Sequence, residues 1–234
     1  MEKDAPGLLK AVRSVTPNPI RYLVNTHVHR DHVGANRVWA REGALVVAHA
    51  NVGARLAKDP GGLVAGPHGG LPDLLFGEGD PAQRARMDIH LGGAEFHLLH
   101  ICAAHTDGDL VFGYPAELVM HMGDLFFHGL LPYVDTGRGG SFDGLAAEMD
   151  QLASWLPADV KIIPGHGPMA TRKDLLRYRD LLRAVQAHVK AHPGLTPAAL
   201  AAAFDTAAWP DYKPQPGFVT WESLFASALP VAKP

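Results

Sequence analysis

Within six residues, His27-Val28-His29-Arg30-Asp31-His32, the chain places four side chains of the kinds that divalent metals take as ligands. The run follows an apolar stretch, Ile20 to Val24, that reads as a buried strand. His27 and His29 alternate along an extended segment and so face the same side, while Asp31 and His32 fall at the turn into the next helix. Four ligands this close crowd one ion but suit two ions held side by side. A two-metal site needs more side chains than these, so distant strand ends must supply the rest.

Three such positions stand out, each flanked by glycine or following a predicted strand. His105, in Ala104-His105-Thr106-Asp107-Gly108-Asp109, follows a strand over 94–100. Asp124, in His121-Met122-Gly123-Asp124, ends a strand over 117–122. His166, in Ile163-Pro164-Gly165-His166-Gly167, ends a strand over 160–163. Loops at strand ends gather on one sheet edge, where binding sites form. Further strands are expected at 20–25, 44–48, 87–91 and 109–113, with Gly92-Gly93 as a two-residue hairpin signal before 94–100. Helices are expected at 6–15, 34–41, 50–57, 143–156, 173–191, 197–203 and 218–229. Thr171 with Asp174 reads as a capping box for 173–191, whose apolar stripe is Leu175, Tyr178, Leu182, Val185 and Val189. Interleaved strands and helices give an α/β or α+β class.

The 234 residues are expected to form one domain over 1–234. An apolar fraction of 47% and a charged fraction of 19% allow a sizeable core. A net charge of −3 gives no electrostatic reason to expect a nucleic-acid partner, and no apolar run approaches a membrane span. The start, Met1-Glu2-Lys3-Asp4, lacks the design of a secretory signal, so a cytoplasmic location is expected, or a periplasmic or secreted one had a signal preceded it. The single Cys102 excludes an internal disulfide and reads as a small buried residue. Fourteen histidines are the abnormal count, and it calls for a chemical explanation.

The ordered set His27-x-His29-x-Asp31-His32, His105, Asp124 and His166 resembles the metal-binding signature of the metallo-β-lactamase superfamily, from about residue 8 to the end of the chain. The resemblance implies an αββα sandwich of two mixed sheets with helices outside. It implies that His27, His29 and His105 bind a first metal, that Asp31, His32 and His166 bind a second, and that Asp124 bridges them. The ions would be two Zn²⁺, though iron and manganese also suit such ligands. Two ions ~3.5–4 Å apart hold and acidify a bridging water and polarise a carbonyl. The implied function is a binuclear zinc-dependent hydrolase that uses this hydroxide on an ester, lactone, thioester or amide of a small molecule, with catalytic Asp31 orienting the nucleophile and carrying a proton to the leaving group. Asp107 and Asp109 are candidates for fixing ligand imidazoles, or else for capping local turns.

Having both His32 and Asp124, the chain looks more like the thioesterase, lactonase and general hydrolase branches than the true β-lactamases. A β-lactam hydrolase, an iron-dependent persulfide dioxygenase and a metal-binding but catalytically silent module are the alternatives. A glutathione thioester is a minor option, because Arg172, Lys173, Arg177, Arg179 and Arg183 read as the solvated face of one helix. The apolar, aromatic loop 125–133 is expected to line the entrance and to favour an uncharged or partly apolar substrate, with His128 and Tyr133 as candidate donors to its carbonyl. Loop 58–80 is read as a lid near the metals. The strands that normally open this fold have no counterpart, so one sheet is expected to expose an edge and an apolar face, which a second copy in a homo-oligomer would cover.

Overall fold

A computed structural model describes residues 2–58, 69–77 and 84–230. Its architecture follows from two sheets that share an apolar seam. The first is parallel, in the order β1 (Tyr22–Val24), β2 (Leu45–His49), β3 (Leu74–Phe76). The second runs in chain order: β4 (Arg86–Leu91), β5 (Ala94–Ile101), β6 (Asp109–Tyr114), β7 (Val119–Phe127), β8 (Lys161–His166) and β9 (Ala170–Thr171). Neighbours in it are antiparallel except β7 and β8, which are parallel. That pair needs a crossover, supplied by α5 (Phe142–Trp155). Val47 and Phe76 of the first sheet meet Leu98 and Leu110 of the second in the seam.

Helices close the outer faces. On the first sheet, Ala48 packs with Val33 of α2 (Arg30–Val33) and with Val52 and Leu56 of α4 (Ala50–Ala57). α1 (Ala5–Val15) and α3 (Asn36–Arg41) complete that half. The largest core lies on the far face of the second sheet, under α5, α6 (Arg172–Ala191), α7 (Pro197–Ala203) and α8 (Trp221–Ala228), with Phe126, Phe127, Leu145, Tyr178, Leu182 and Phe225 fully buried. The αββα sandwich is therefore as expected.

Local signals act as their chemistry dictates. Gly92 and Gly93 take φ of +61° and +84°, and this two-residue turn joins β4 to β5 with Leu91 opposite Ala94. Thr171 and Asp174 form the reciprocal capping box that starts α6. Three expectations need correction. The helix expected over 34–41 starts only at Asn36, as α3, and a separate short helix, α2, precedes it across Gly34-Ala35. β7 does not stop before Asp124 but runs to Phe127, irregular in register between His121 and Phe127, with Gly123 at φ +51°. Within the expected lid, 74–76 form β3, with Phe76 buried in the seam, and positions 59–68 and 78–80 lie outside the described residues. Among the described residues β1 pairs only with β2, leaving its outer edge open, and Leu45, Leu74 and Leu75 are exposed. No described helix is long and apolar enough to cross a membrane.

Candidate metal centre

All seven sequence-predicted ligands converge at one end of the sandwich. His27 and His29 lie in the turn after β1, Asp31 and His32 in α2, His105 between β5 and β6, Asp124 in β7 and His166 at the end of β8. They form two groups, His27-His29-His105-Asp124 and Asp31-His32-His166, within each of which the ligand atoms lie within 4.8 Å of one another. The turn carrying four of them is held by a buried amide pair. Asn25 Nδ2 donates to Asn36 Oδ1 at 2.9 Å and Asn36 Nδ2 returns to Asn25 Oδ1 at 2.8 Å. Asn25 Nδ2 also reaches the His32 carbonyl, at 3.3 Å.

The hydrogen bonds at the back of each ring decide which nitrogen faces inward. His29 Nε2 donates to Asp135 Oδ2 at 2.8 Å, leaving Nδ1 as a lone pair. His105 Nδ1 donates to the Tyr133 carbonyl at 2.7 Å, leaving Nε2 free. Thr26 Oγ1 lies 3.2 Å from Nδ1 of both His27 and His32. Its two lone pairs accept both N–H groups, which frees both Nε2 atoms. The inward nitrogens then face one another: His105 Nε2 is 2.9 Å and His27 Nε2 3.1 Å from His29 Nδ1. Lone pairs opposed at that distance repel unless a cation lies among them. Nitrogens about 2.0–2.1 Å from a tetrahedral ion would stand roughly 3.3 Å apart, so the first group fits a metal ion closely.

Asp124 stands between the groups. Its Oδ2 is 3.7 Å from His27 Nε2, 3.6 Å from His105 Nε2 and 3.3 Å from His166 Nε2, and its Oδ1 is 3.1 Å from His32 Nε2. The buried Oδ1 nevertheless makes no aligned hydrogen bond, as suits two ligands that face a common ion. Asp31 Oδ2 completes the second group at 3.4 Å from His32 and 3.3 Å from His166. The side chain of Asp31 is 50% exposed, the most open of the seven.

Charge is distributed to match. Burial pushes His27 well below its usual pKa, and burial likewise brings His105 down to about 4, so these two rings are offered as neutral imidazoles. In the second, contacts with Asp124 and Asp31 carry His166 up to about 10. Burial opposes charge on His32, but its contacts with the same two carboxylates outweigh it and raise the ring to about 9. His166 and then His32 hold Asp31 far below the usual carboxylate range. Burial raises Asp124, yet His166 and His32 overcome it and lower the carboxylate too. The second group thus retains protons that a cation would displace.

Of the two aspartates after His105, Asp109 caps a turn, while Asp107 takes neither of the two roles expected of it. Asp107 pairs with Arg55 at 2.8 and 2.5 Å, not with a ligand ring. Asp109 accepts from Thr106 N at 2.8 Å and Thr106 Oγ1 at 2.5 Å. The residues that do orient ligands, Asp135 and Thr26, were missed. Asp135 carries no local sequence signal, whereas a hydroxyl directly before His27 was a readable one. His128 is tied to the Pro168 carbonyl at 2.9 Å, on the α6 side. The Tyr133 ring lies 5.9 Å from that of His29 and 5.7 Å from that of His105. Cys102 is half-buried rather than buried, 3.7 Å from His100 Nδ1. A third group, Asp88-Glu95-His97, is on the exposed β4–β5 hairpin, where Arg86 already bonds Asp88 and His97.

The family model of the metallo-beta-lactamase superfamily matches residues 2–166, which hold all seven ligands. The chain belongs to this superfamily. It is 29% identical over 124 residues to the 2,4-dinitroanisole O-demethylase subunit alpha of Nocardioides sp. (strain JS1661), covering 51% of this chain and 34% of that protein. It is 29% identical over 149 residues to a hydroxyacylglutathione hydrolase of Polaromonas sp. (strain JS666 / ATCC BAA-500), covering 63% of this chain and 48% of the other. The chain therefore spans between a third and a half of the length of these relatives. Among solved structures, TTHA1623 in a di-iron-bound form superposes with a TM-score of 0.56 at 28% identity, over 74% of this chain and 82% of that one. This superfamily member thus carries a His/Asp cluster able to hold metal on the sandwich fold shared with its relatives.

Proposed function

We propose that the chain is a single-domain, binuclear zinc-dependent hydrolase that cleaves an ester, lactone, thioester or amide bond in a small molecule. The observation that carries this reading is the position of Asp124, whose carboxylate lies within 3.7 Å of imidazoles from both groups. His27, His29 and His105 would hold one ion, Asp31, His32 and His166 the other, and Asp124 both. Bound cations would supply Lewis acidity toward a carbonyl oxygen and acidify water near neutral pH.

The side chains themselves do the rest. Asp135, Thr26 and the Tyr133 carbonyl keep the imidazoles aimed inward, so little reorganisation is needed when substrate arrives. Asp31, anchored by His32 and His166 and half open to solvent, is placed to take a proton from the attacking water at its carboxylate and to return it to the leaving oxygen, sulfur or nitrogen. Zinc suits the imidazole-rich first group, and the di-iron form of TTHA1623 makes iron the metal to test beside it. Likeness to a hydroxyacylglutathione hydrolase supports including thioesters among the substrates. The test is turnover of an ester, lactone, thioester, amide and β-lactam panel by zinc- and iron-loaded protein, with Asp31→Ala alongside. Turnover of one panel class that falls at least about 100-fold in kcat in the variant supports the reading; full activity in the variant contradicts the role of Asp31, and metal-loaded protein inert toward every class contradicts hydrolysis.

A further inference from the structure

One large apolar side chain beside Tyr133 is carried on a hydrogen-bonded turn yet faces solvent. Phe218 is 55% exposed, whereas its neighbour Val219 is 2% exposed. Its position is not that of a loose loop residue. Phe218 N donates to the Gln215 carbonyl at 2.9 Å, closing a four-residue turn whose centre is Pro216-Gly217, and Gly217 takes φ +79°. Proline followed by a positive-φ glycine is the requirement of a type II turn, so the backbone here is preset. Gln215 and Val219 exchange hydrogen bonds of 2.7 and 2.9 Å across it. The start of the segment is fastened to the loop after β7: Lys213 N donates to the Gly129 carbonyl at 3.2 Å, and Leu131 N to the Lys213 carbonyl at 3.1 Å.

This anchoring sets the Phe218 ring 4.9 Å from the Tyr133 ring, tilted by 47°. Tyr133 in turn stands 5.7–5.9 Å from the rings of His105 and His29. The two aromatics therefore form a continuous wall that leads from solvent to the first metal group. A scattered exposed apolar side chain needs no explanation, but a preorganised pair of rings loses little entropy on binding and offers both faces and edges to a third ring. Phe218, unlike Tyr133, lies outside the stretch, 2–166, that the superfamily model covers, so the outer half of this wall is supplied by the chain's C-terminal part.

Resting on the hydrolase reading above, the geometry points to Tyr133 and Phe218 as a specificity wall that seats a flat aromatic group of the substrate, making aryl esters the preferred class. Phe218 contributes through ring contact beyond the reacting atoms, so it governs binding of the aryl group. The test uses the metal-loaded 234-residue protein, Phe218→Ala and Phe218→Trp, with circular dichroism to verify folding. Binding of 2-naphthol, followed by its own fluorescence, reads the wall without any turnover. The ratio of kcat/KM for 2-naphthyl acetate to that for ethyl acetate reads it during hydrolysis. Phe218→Ala should weaken 2-naphthol binding about tenfold and lower that ratio about tenfold, mainly through KM, and Phe218→Trp should restore both. Equal 2-naphthol affinity in wild type and Phe218→Ala, or no binding by either, would overturn the wall. Failure of the wild type to cleave either ester while the naphthol difference persists would instead count against hydrolysis and leave the wall standing.

Discussion

Asp135 Oδ2 receives the Nε2–H of His29 at 2.8 Å, across more than a hundred residues of chain. This bond fixes the tautomer that turns His29 Nδ1 toward His27 and His105. Asp135 is itself buried and held by Arg138, whose NH1 lies at 2.7 Å and whose backbone N–H donates at 3.0 Å. Replacing it with asparagine keeps the shape but removes the charge that supports the ring. Asp135→Asn should weaken the metal held by His27, His29 and His105 about 10- to 100-fold, measured by competition with a chromogenic chelator; unchanged affinity would show that His29 needs no such support.

Thr26 serves a ring in each group, so its removal should be felt by both ions. Thr26→Val retains the volume and leaves two Nδ1–H groups, on His27 and His32, without their acceptor. Stepwise metal titration by calorimetry should show both binding events weakened, by about tenfold each. A loss confined to one event would mean that the hydroxyl serves only one ring.

Gly165 lies against the carboxylate that joins the groups. A Cβ there would collide with Asp124 Oδ1 and come within 2.7 Å of the Gly123 carbonyl carbon and 2.8 Å of Asp124 N. Backbone cannot move aside cheaply, so Gly165→Ala should displace Asp124 and cost about 2–4 kcal/mol of stability. Urea unfolding and metal content report the two consequences separately.

His49 predicts how the metal-free protein responds to acid. Burial, and then the ring of His100 stacked at 3.5 Å, bring its pKa down to about 4. The unfolded chain takes up this proton near 6.5 and the folded one only near 4. Its contribution is therefore fully present above pH 6.5 and is lost as pH falls through about 4, on the order of 1–3 kcal/mol. His49→Asn keeps an acceptor for Asn51 N, which the Nδ1 of His49 now caps at 3.3 Å. Urea melts of the two proteins between pH 7.5 and 4 should diverge in slope, with the variant flatter; parallel curves would contradict the assignment.

The sequence was most legible where one residue type allows only one use. The dense His27 to His32 run announced metal chemistry, and His105, Asp124 and His166 were found because ligands at strand ends can converge. Gly92-Gly93 and the Thr171–Asp174 box were equally direct, since each satisfies a specific backbone need. What escaped was set by tertiary contact. Nothing near Asp135 in the chain hints at His29. The aspartates closest to His105, Asp107 and Asp109, drew attention by proximity, yet they serve Arg55 and Thr106. β3 was hidden because three residues with two exposed leucines show no period. Phe218 was missed because it reads as the first residue of a helix over 218–229, whereas α8 starts at Trp221 and Phe218 closes the turn before it, packed on Tyr133.

The proposed function requires the seven side chains to form one site for two ions joined by Asp124. Metal content of the purified, zinc-reconstituted chain, measured by plasma mass spectrometry for wild type and Asp124→Ala, tests this most directly. Two equivalents in the wild type, with one or none kept by the variant, is the predicted result; two equivalents in both proteins, or none in the wild type, would contradict it.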